Sequence, residues 1–189
     1  MNIKRNVLLL LPFLLSFAQA GEPVTFHSLA ARTITGEVMA FSQLEGRVVL
    51  IVNTASKCGF TRQYADLVDL EKAYAEQGLT ILAFPSDNFG NQELDTHEEI
   101  AAFCEAQFDI NFPLMEKTHV RGEQASPLFK MLTEASNDGF TGPIRWNFEK
   151  FLLDANGALR HRFRSNVSPD SPPFRQALEA LLAEANATP

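Results

Sequence analysis

The chain has 189 residues and a formal net charge of −7, and hydrophobic residues make up 46% of it. This length suits one domain with an adequate core. Because the chain is acidic and has no large cluster of basic residues, its composition argues against nucleic acid or an anionic lipid surface as a partner. Its two cysteines are too few for a scaffold built on disulfides.

The first twenty residues have the composition of a secretory signal peptide. Lys4 and Arg5 form a short basic region, residues 7–17 are mostly apolar, and residues 18–20 supply the small residues of a cleavage site. The apolar stretch is short for a membrane span, so an uncleaved anchor is the weaker alternative. We therefore expect a signal peptide over residues 1–20, a single domain over residues 21–189, export across a membrane, and a periplasmic location in a bacterial source.

Hydrophobic patterning in the first half predicts alternating strands and helices. Residues 25–39 favour a small hairpin that turns at Gly36. Residues 48–52 form an apolar, β-branched run that is typical of a buried strand, and we expect this strand over residues 48–54. A helix over residues 66–77 and a second buried strand over residues 79–84 are expected to follow.

The second half predicts further helices around a hairpin. Thr96 caps a helix that carries Cys104, and another helix is expected over residues 126–135. Strands over residues 148–153 and 158–163 flank a turn, and a final helix follows them. A β-α-β unit followed by a hairpin and a helix predicts an α/β, thioredoxin-like fold, in which helices flank a central mixed sheet.

Cys58 lies between the first buried strand and the helix that follows it. Apolar residues at helical spacing begin at Leu67, so Cys58 is expected at or just before a helix N-terminus. Unpaired N–H groups and the positive end of the helix dipole gather there, and they favour the nucleophilic thiolate. A static structural disulfide to Cys104, the other cysteine, is the alternative in an oxidising compartment.

Three segments resemble the active-site motifs of the glutathione peroxidase family and occur in the family's order. They are NTASKCGFT around Cys58, LAFPSDNFGNQE around Gln92, and WNFEKFL around Trp146 and Asn147. The chain is thereby identified as a cysteine-type, compact, bacterial-like member of this family. The resemblance implies a thioredoxin-like fold with an N-terminal β-hairpin, and the reduction of hydroperoxides in defence against oxidative stress.

The same resemblance implies roles for four residues. Cys58 matches the family's peroxidatic cysteine or selenocysteine, and Gln92, Trp146 and Asn147 match the remaining members of its catalytic tetrad. The amide and indole N–H groups of these three residues are neutral hydrogen-bond donors. Pointed at the sulfur, they would stabilise a thiolate and orient a peroxide oxygen.

Cys104, in the segment EEIAAFCEAQF, resembles the second cysteine of bacterial cysteine-type members. The resemblance implies that Cys104 resolves the sulfenic acid of Cys58 to an intramolecular disulfide, and that its helix unwinds to do so. A buried helix cysteine without a redox role is the alternative.

The segment between Asn137 and Trp146 is short, whereas oligomeric animal members carry a long insertion there. We therefore expect a monomer with an open site that admits hydrogen peroxide and organic or lipid hydroperoxides. Since no basic cluster for glutathione is obvious, a thioredoxin-like protein is favoured over glutathione as the reductant. We expect no cofactor and no stable insertion into a membrane. We also expect no metal, because the histidines show no recognisable ligand spacing.

Competing functions fit the sequence less well. A thiol–disulfide oxidoreductase would need a second cysteine where Thr61 stands, and a peroxiredoxin would have threonine where Ala55 stands. A non-enzymatic redox sensor that passes peroxide oxidation to a partner protein remains as the alternative to a peroxidase.

Overall fold

The computed structural model describes residues 24–187, and the expected signal peptide over residues 1–20 lies outside them. Within the described residues the chain forms six strands and four α-helices. The strands are β1 Ala30–Arg32, β2 Val38–Ala40, β3 Val48–Thr54, β4 Leu79–Pro85, β5 Lys150–Leu153 and β6 Leu159–Phe163. The helices are α1 Gln63–Tyr74, α2 His97–Phe108, α3 Pro127–Glu134 and α4 Pro172–Ala187.

Four strands form a mixed sheet in the order β4-β3-β5-β6. β3 pairs with β4 in parallel and with β5 antiparallel, and β6 pairs antiparallel with β5. Every residue of β3 and β4 is buried, which explains why both segments are mostly apolar in the sequence. The predicted α/β fold with a central mixed sheet is confirmed.

The N-terminal hairpin is also confirmed. β1 and β2 pair antiparallel, with Ala31 opposite Met39. The turn between them uses Gly36 at φ 88°, a left-handed conformation that glycine adopts without a steric penalty.

The two faces of the sheet carry separate hydrophobic clusters. Val48, Leu50 and Val52 of β3 pack into one cluster with residues of α1, α2 and α4. Val49 and Ile51 point the other way, into a cluster with residues of α3 and of the N-terminal segment. This alternation places helices on both sides of the sheet.

Several boundaries differ from the predicted ones, most of them by one residue, and the first hairpin strand begins only at Ala30, after a short 3-10 helix over Phe26–Ser28. α1 runs from Gln63 to Tyr74 and is followed by a short 3-10 turn that ends at Gly78, whose φ is 107°. β5 begins only at Lys150, because Phe148 has a left-handed φ of 63° that a strand cannot contain. Among residues 24–187, no helix is both long enough and apolar enough to cross a membrane.

Candidate active site

Cys58 lies in a tightly turned loop between β3 and α1. Its N–H donates to Thr61 Oγ1 at 3.0 Å, and the Thr61 N–H donates to the Cys58 carbonyl at 3.0 Å. Thr61 Oγ1 also donates to the carbonyl of Ala55 at 2.8 Å. Because α1 begins only at Gln63, Cys58 precedes the helix, and hydrogen bonds to Thr61 hold its loop. The sequence analysis named Thr61 only as the position where a thiol–disulfide oxidoreductase would have its second cysteine, and it missed this role.

The thiol of Cys58 is nearly buried but lies next to exposed residues. Cys58 is 9% exposed, whereas its neighbours Lys57 and Gly59 are exposed. The Phe60 N–H donates to the Cys58 sulfur, with 3.4 Å between nitrogen and sulfur. A backbone donor aimed at the sulfur stabilises negative charge there. Sequence reasoning missed this donor, which only the turned loop creates.

Hydrogen bonds bring the second and third motifs to the Cys58 loop. The Lys57 N–H donates to the Gln92 carbonyl at 2.8 Å, which seats the Gln92 loop beside that of Cys58. Asn147 is fully buried, and its Nδ2 donates to Gln92 Oε1 at 3.1 Å. With its oxygen occupied, Gln92 keeps its amide N–H groups for another acceptor.

Trp146 lies at the surface of the same end of the sheet. It is 40% exposed, and its ring packs against Phe89 with 5.8 Å between ring centroids. Within the described residues, the side chains of Gln92, Trp146 and Asn147 donate no hydrogen bond to the Cys58 sulfur. Asn147 Nδ2 binds Gln92 instead, the Trp146 ring packs on Phe89, and the expected donation to the sulfur stays a prediction.

Asn53, at the end of β3, fixes the backbone that carries Trp146 and Asn147. Its Nδ2 donates to the Trp146 carbonyl at 3.1 Å, and its Oδ1 accepts from the Glu149 N–H at 3.0 Å. Its carbonyl accepts from the N–H of Phe148, the left-handed residue, at 2.6 Å. Sequence reasoning missed Asn53, although an amide that follows five apolar residues in a buried strand is an unusual core residue.

Glu93 ties the Gln92 loop to the Cys58 loop from the inside. It is 2% exposed, and its Oε1 accepts from the N–H groups of Ser56 at 3.1 Å and Leu94 at 2.8 Å. Burial raises the pKa of the Glu93 carboxyl. Sequence reasoning missed Glu93 as well, since nothing in the pattern shows that it points inward.

Cys104 lies within α2 and is 1% exposed. Burial raises the pKa of its thiol to about 11. It belongs to the same hydrophobic cluster as Cys58, and both cysteines are free thiols in this structure. The structural disulfide that the sequence left open is therefore not formed in this state.

Basic residues from separate segments lie on or beside the loops of the site. Lys57 and Arg62 flank the Cys58 loop, and Arg145 precedes Trp146. The Arg121 guanidinium lies 5.3 Å from the ring centroid of Phe89, on which Trp146 packs. All four are exposed, and none of their side chains pairs with a carboxylate among residues 24–187. These four residues are called the rim cations below.

The described part of the chain contains no group of three or more His, Cys, Asp or Glu residues placed to hold a metal ion.

Known proteins resemble this chain in sequence and in fold. Residues 26–133 match the family model described as glutathione peroxidase. The glutathione peroxidase homolog BsaA of Halalkalibacterium halodurans is 48% identical over 146 residues, 77% of this chain and 93% of that protein. The hydroperoxy fatty acid reductase gpx1 of a Synechocystis species is 43% identical over 152 residues, 77% of this chain and 90% of that protein.

A solved structure, that of Trgpx in apo form, superposes with a TM-score of 0.69 at 29% sequence identity. The superposition covers 86% of this chain and 98% of that one. The thioredoxin-like architecture thus recurs together with the sequence similarity. The chain belongs to the glutathione peroxidase family and is an enzyme of the peroxidase class.

Proposed function

We propose that the protein is a cysteine-dependent peroxidase in which Cys58 attacks hydroperoxides. The observation that carries this proposal is the pair of hydrogen bonds that joins the three motifs. The Lys57 N–H binds the Gln92 carbonyl, and the Asn147 amide binds the Gln92 side chain. Together with family membership, this arrangement supports Gln92, Trp146 and Asn147 as the residues that act with Cys58.

In the proposed first step, the Cys58 thiolate attacks the outer oxygen of the hydroperoxide. The S–O bond forms, the O–O bond breaks, and the departing alkoxide takes a proton to leave as an alcohol. The Phe60 N–H, which already faces the sulfur, stabilises the attacking thiolate. The unengaged Gln92 amide and the partly exposed Trp146 indole are available to bind the peroxide oxygens.

In the second step, Cys104 attacks the sulfenic acid of Cys58, releasing water and forming a disulfide. Because Cys104 is buried within α2, this step requires local opening of that helix. A dithiol reductant then restores both thiols by exchange.

The rim cations and the exposed Trp146 ring favour anionic, amphipathic hydroperoxides alongside hydrogen peroxide. An acyl chain would pack on the aromatic ring, and its carboxylate would lie near Arg121. The printed name of the Synechocystis relative, a hydroperoxy fatty acid reductase, supports the same substrate class here. Organic and lipid hydroperoxides are therefore proposed as substrates, with defence against oxidative stress as the role.

The reductant is proposed to be a thioredoxin-like protein, with glutathione as the second candidate. Glutathione was disfavoured because the sequence shows no obvious basic cluster. The rim cations weaken that argument, because they would attract the carboxylates of glutathione. The signal-peptide pattern supports export and, in a bacterial source, a periplasmic location. The short segment before Trp146 supports a monomer.

A non-enzymatic redox sensor is the alternative, and turnover separates the two. The reduced protein is mixed with excess hydroperoxide and, in parallel, with a thioredoxin system or glutathione. We expect many turnovers per protein with at least one reductant, and none in Cys58→Ser at a preserved circular dichroism spectrum. A single stoichiometric oxidation without turnover would favour the sensor, and turnover in Cys58→Ser would remove Cys58 from the reaction.

A further inference from the structure

Glu149 carries a buried carboxylate that the proposed reaction does not use. Its side chain and that of Arg162 are both 0% exposed. Oε2 of Glu149 accepts from Arg162 Nη2 at 2.8 Å and from Arg162 Nε at 3.1 Å. Burying two charges is costly, and a buried ion pair is often no more stabilising than an apolar pair of similar size. Stability alone therefore does not explain this pair.

The other carboxylate oxygen of Glu149 binds the main chain of the third motif. Oε1 accepts the backbone N–H of Arg145 at 2.7 Å, and it also accepts from Arg164 Nη1 at 2.6 Å. The bond to the Arg145 N–H closes a turn over residues 145–149, which contains Trp146 and Asn147. The direction in which these two side chains leave the main chain therefore depends on how the turn is closed.

The turn belongs to no helix or strand, so other groups must pair its main-chain N–H and carbonyl groups. Asn53 binds the Trp146 carbonyl and the Glu149 N–H from inside the sheet. The Glu149 carboxylate binds the Arg145 N–H from the other end of the turn. These two buried side chains therefore hold the main chain on both sides of Trp146.

Arg162 extends this hold to the segment that leads into the turn. Its Nη1 donates to the carbonyl of Gly142 at 2.7 Å, and its guanidinium lies 4.8 Å from the ring centroid of Phe140. Since Arg162 lies on β6, these contacts fasten the segment to the sheet. The buried ion pair thus joins the sheet, the segment before Trp146 and the turn itself.

The Trp146 and Asn147 side chains depend on this turn in different ways. The Trp146 ring is 40% exposed and packs on Phe89, so its direction follows that of its main chain. Asn147 is buried and reaches Gln92 through the 3.1 Å bond from Nδ2 to Oε1. A shift of the turn by ~1 Å would break this bond, and misplacements of that size can slow an enzyme by about 10²-fold.

We propose that Glu149 is a positioning residue for the peroxidase reaction, which sets Trp146 and Asn147 in place by holding the Arg145 N–H. This inference rests on the proposed roles of Trp146 and Asn147. Glu149 exchanges no proton with the peroxide and does not touch it. Arg162 fixes the orientation of the carboxylate by binding Oε2 twice, so that Oε1 stays on the main chain.

The test compares two double variants that both lack the ion pair. Arg162→Met with Glu149→Gln, called the Gln pair, keeps a side-chain oxygen for the Arg145 N–H. Arg162→Met with Glu149→Met, called the Met pair, has none. Both put side chains of similar length in place of the buried charges, and urea unfolding measures whether their stabilities match. We expect hydrogen peroxide to oxidise Cys58 at least ~10-fold more slowly in the Met pair than in the Gln pair, as rapid quenching with a thiol label measures.

A double-mutant cycle separates positioning from a general loss of packing. In a Trp146→Phe background, the difference between the two pairs should shrink to about threefold or less, because one of the positioned side chains is gone. Acrylamide should also quench the Trp146 emission more strongly in the Met pair than in the Gln pair, since the ring is no longer held on Phe89.

Arg164→Gln is the matched control. It removes the other partner of Glu149 Oε1 but leaves the bond to the Arg145 N–H. Because the Arg164 side chain is 25% exposed, we expect its loss to change the rate of Cys58 oxidation by no more than about threefold. A loss as large as that of the Met pair would show that the ion pairs, not the main-chain bond, set the rate, and would overturn the inference.

The outcomes separate this inference from the function on which it rests. If Trp146→Phe and Asn147→Ala both keep the wild-type rate, the proposed roles of these two residues are wrong. If they slow the reaction but the Met and Gln pairs react equally, the role of Glu149 alone is overturned. A difference between the pairs that persists in full without Trp146 also overturns it, because that result indicates packing. Should the Met pair fail to fold, Arg162→Met with Glu149→Asn replaces it, since the shorter amide does not reach the Arg145 N–H.

Discussion

Cys58 and Cys104 share one hydrophobic cluster but differ in how the chain presents them. Cys58 lies in a loop with exposed neighbours, and a backbone N–H faces its sulfur at 3.4 Å. Cys104 lies inside a helix, is 1% exposed, and has a thiol whose pKa burial raises to about 11. The difference suggests an order of events, in which the first thiol meets the peroxide and the second reacts only after the fold opens locally.

Among the substitutions below, removal of the Cys104 thiol should reduce turnover the most. Cys104→Ser should react with one equivalent of peroxide and stop at sulfenic acid or a mixed disulfide. We expect thioredoxin-dependent turnover to fall by about 100-fold or more, since no internal thiol completes the cycle. A coupled assay of NADPH oxidation measures it. Wild-type turnover in Cys104→Ser would show that the buried thiol is only a core residue.

The raised pKa of Cys104 can be tested directly in Cys58→Ser, where it is the remaining thiol. Since the thiolate is the reactive form, its alkylation by iodoacetamide should accelerate about tenfold per pH unit below its pKa. The rate should level off near pH 11, as burial predicts. This folded-state pKa lies above that of an exposed thiol. The contribution of Cys104 to the free energy of unfolding should therefore fall as pH rises from ~8.5 to about 11. A plateau near pH 8.5 would mean that Cys104 is exposed in solution.

Trp146 tests whether the Cys58 site extends to the third motif. It is the single tryptophan, so its emission should change when peroxide is added and recover when reductant is added. Trp146→Phe keeps most of the packing on Phe89 but loses the indole donor. We expect peroxide reduction to slow by ~10-fold, less than the 10²–10³ of a lone oxyanion donor, because the Phe60 N–H still faces the sulfur and the Gln92 amide N–H groups are still available. If the emission of the wild-type protein does not change with peroxide and Trp146→Phe keeps full activity, Trp146 has only a packing role.

Substitution of Arg121 should have the smallest effect on activity, and the effect should be confined to charged substrates. Arg121→Gln keeps much of the side-chain length while removing the cation near Phe89. We expect KM for a fatty acid hydroperoxide to rise about threefold, with little change for hydrogen peroxide. Lys130→Gln, at an exposed position on α3, is the matched control. Equal effects on both substrates would exclude recognition of the carboxylate.

The sequence predicted the fold well because its signals are local. Apolar runs over β3 and β4, the capping pattern at Thr96 and the turn at Gly36 each depend on nearby residues. The predicted start of β5, at residue 148, was too early because a left-handed Phe148 depends on Asn53, which is far away in the chain. Such long-range hydrogen bonds have no periodicity that a reader of the sequence can detect.

The candidate site divides in the same way. Cys58, Gln92, Trp146 and Asn147 were identified from motifs, but the motifs could not show that the Asn147 amide would bind the Gln92 side chain. The roles of Glu93 and of the rim cations could not be predicted, because they depend on which way side chains point after folding. The expected signal peptide, reductant and oligomeric state remain predictions.

The most direct test of the central claim is a thiol count with peptide mapping after one equivalent of hydrogen peroxide. Reduced wild-type protein has two free thiols, at Cys58 and Cys104. The two-cysteine account predicts that both are lost together and that one peptide pair, joined through Cys58 and Cys104, is recovered. Loss of the Cys58 thiol alone, with Cys104 still free and Cys58 carried on to sulfinic acid, would contradict it.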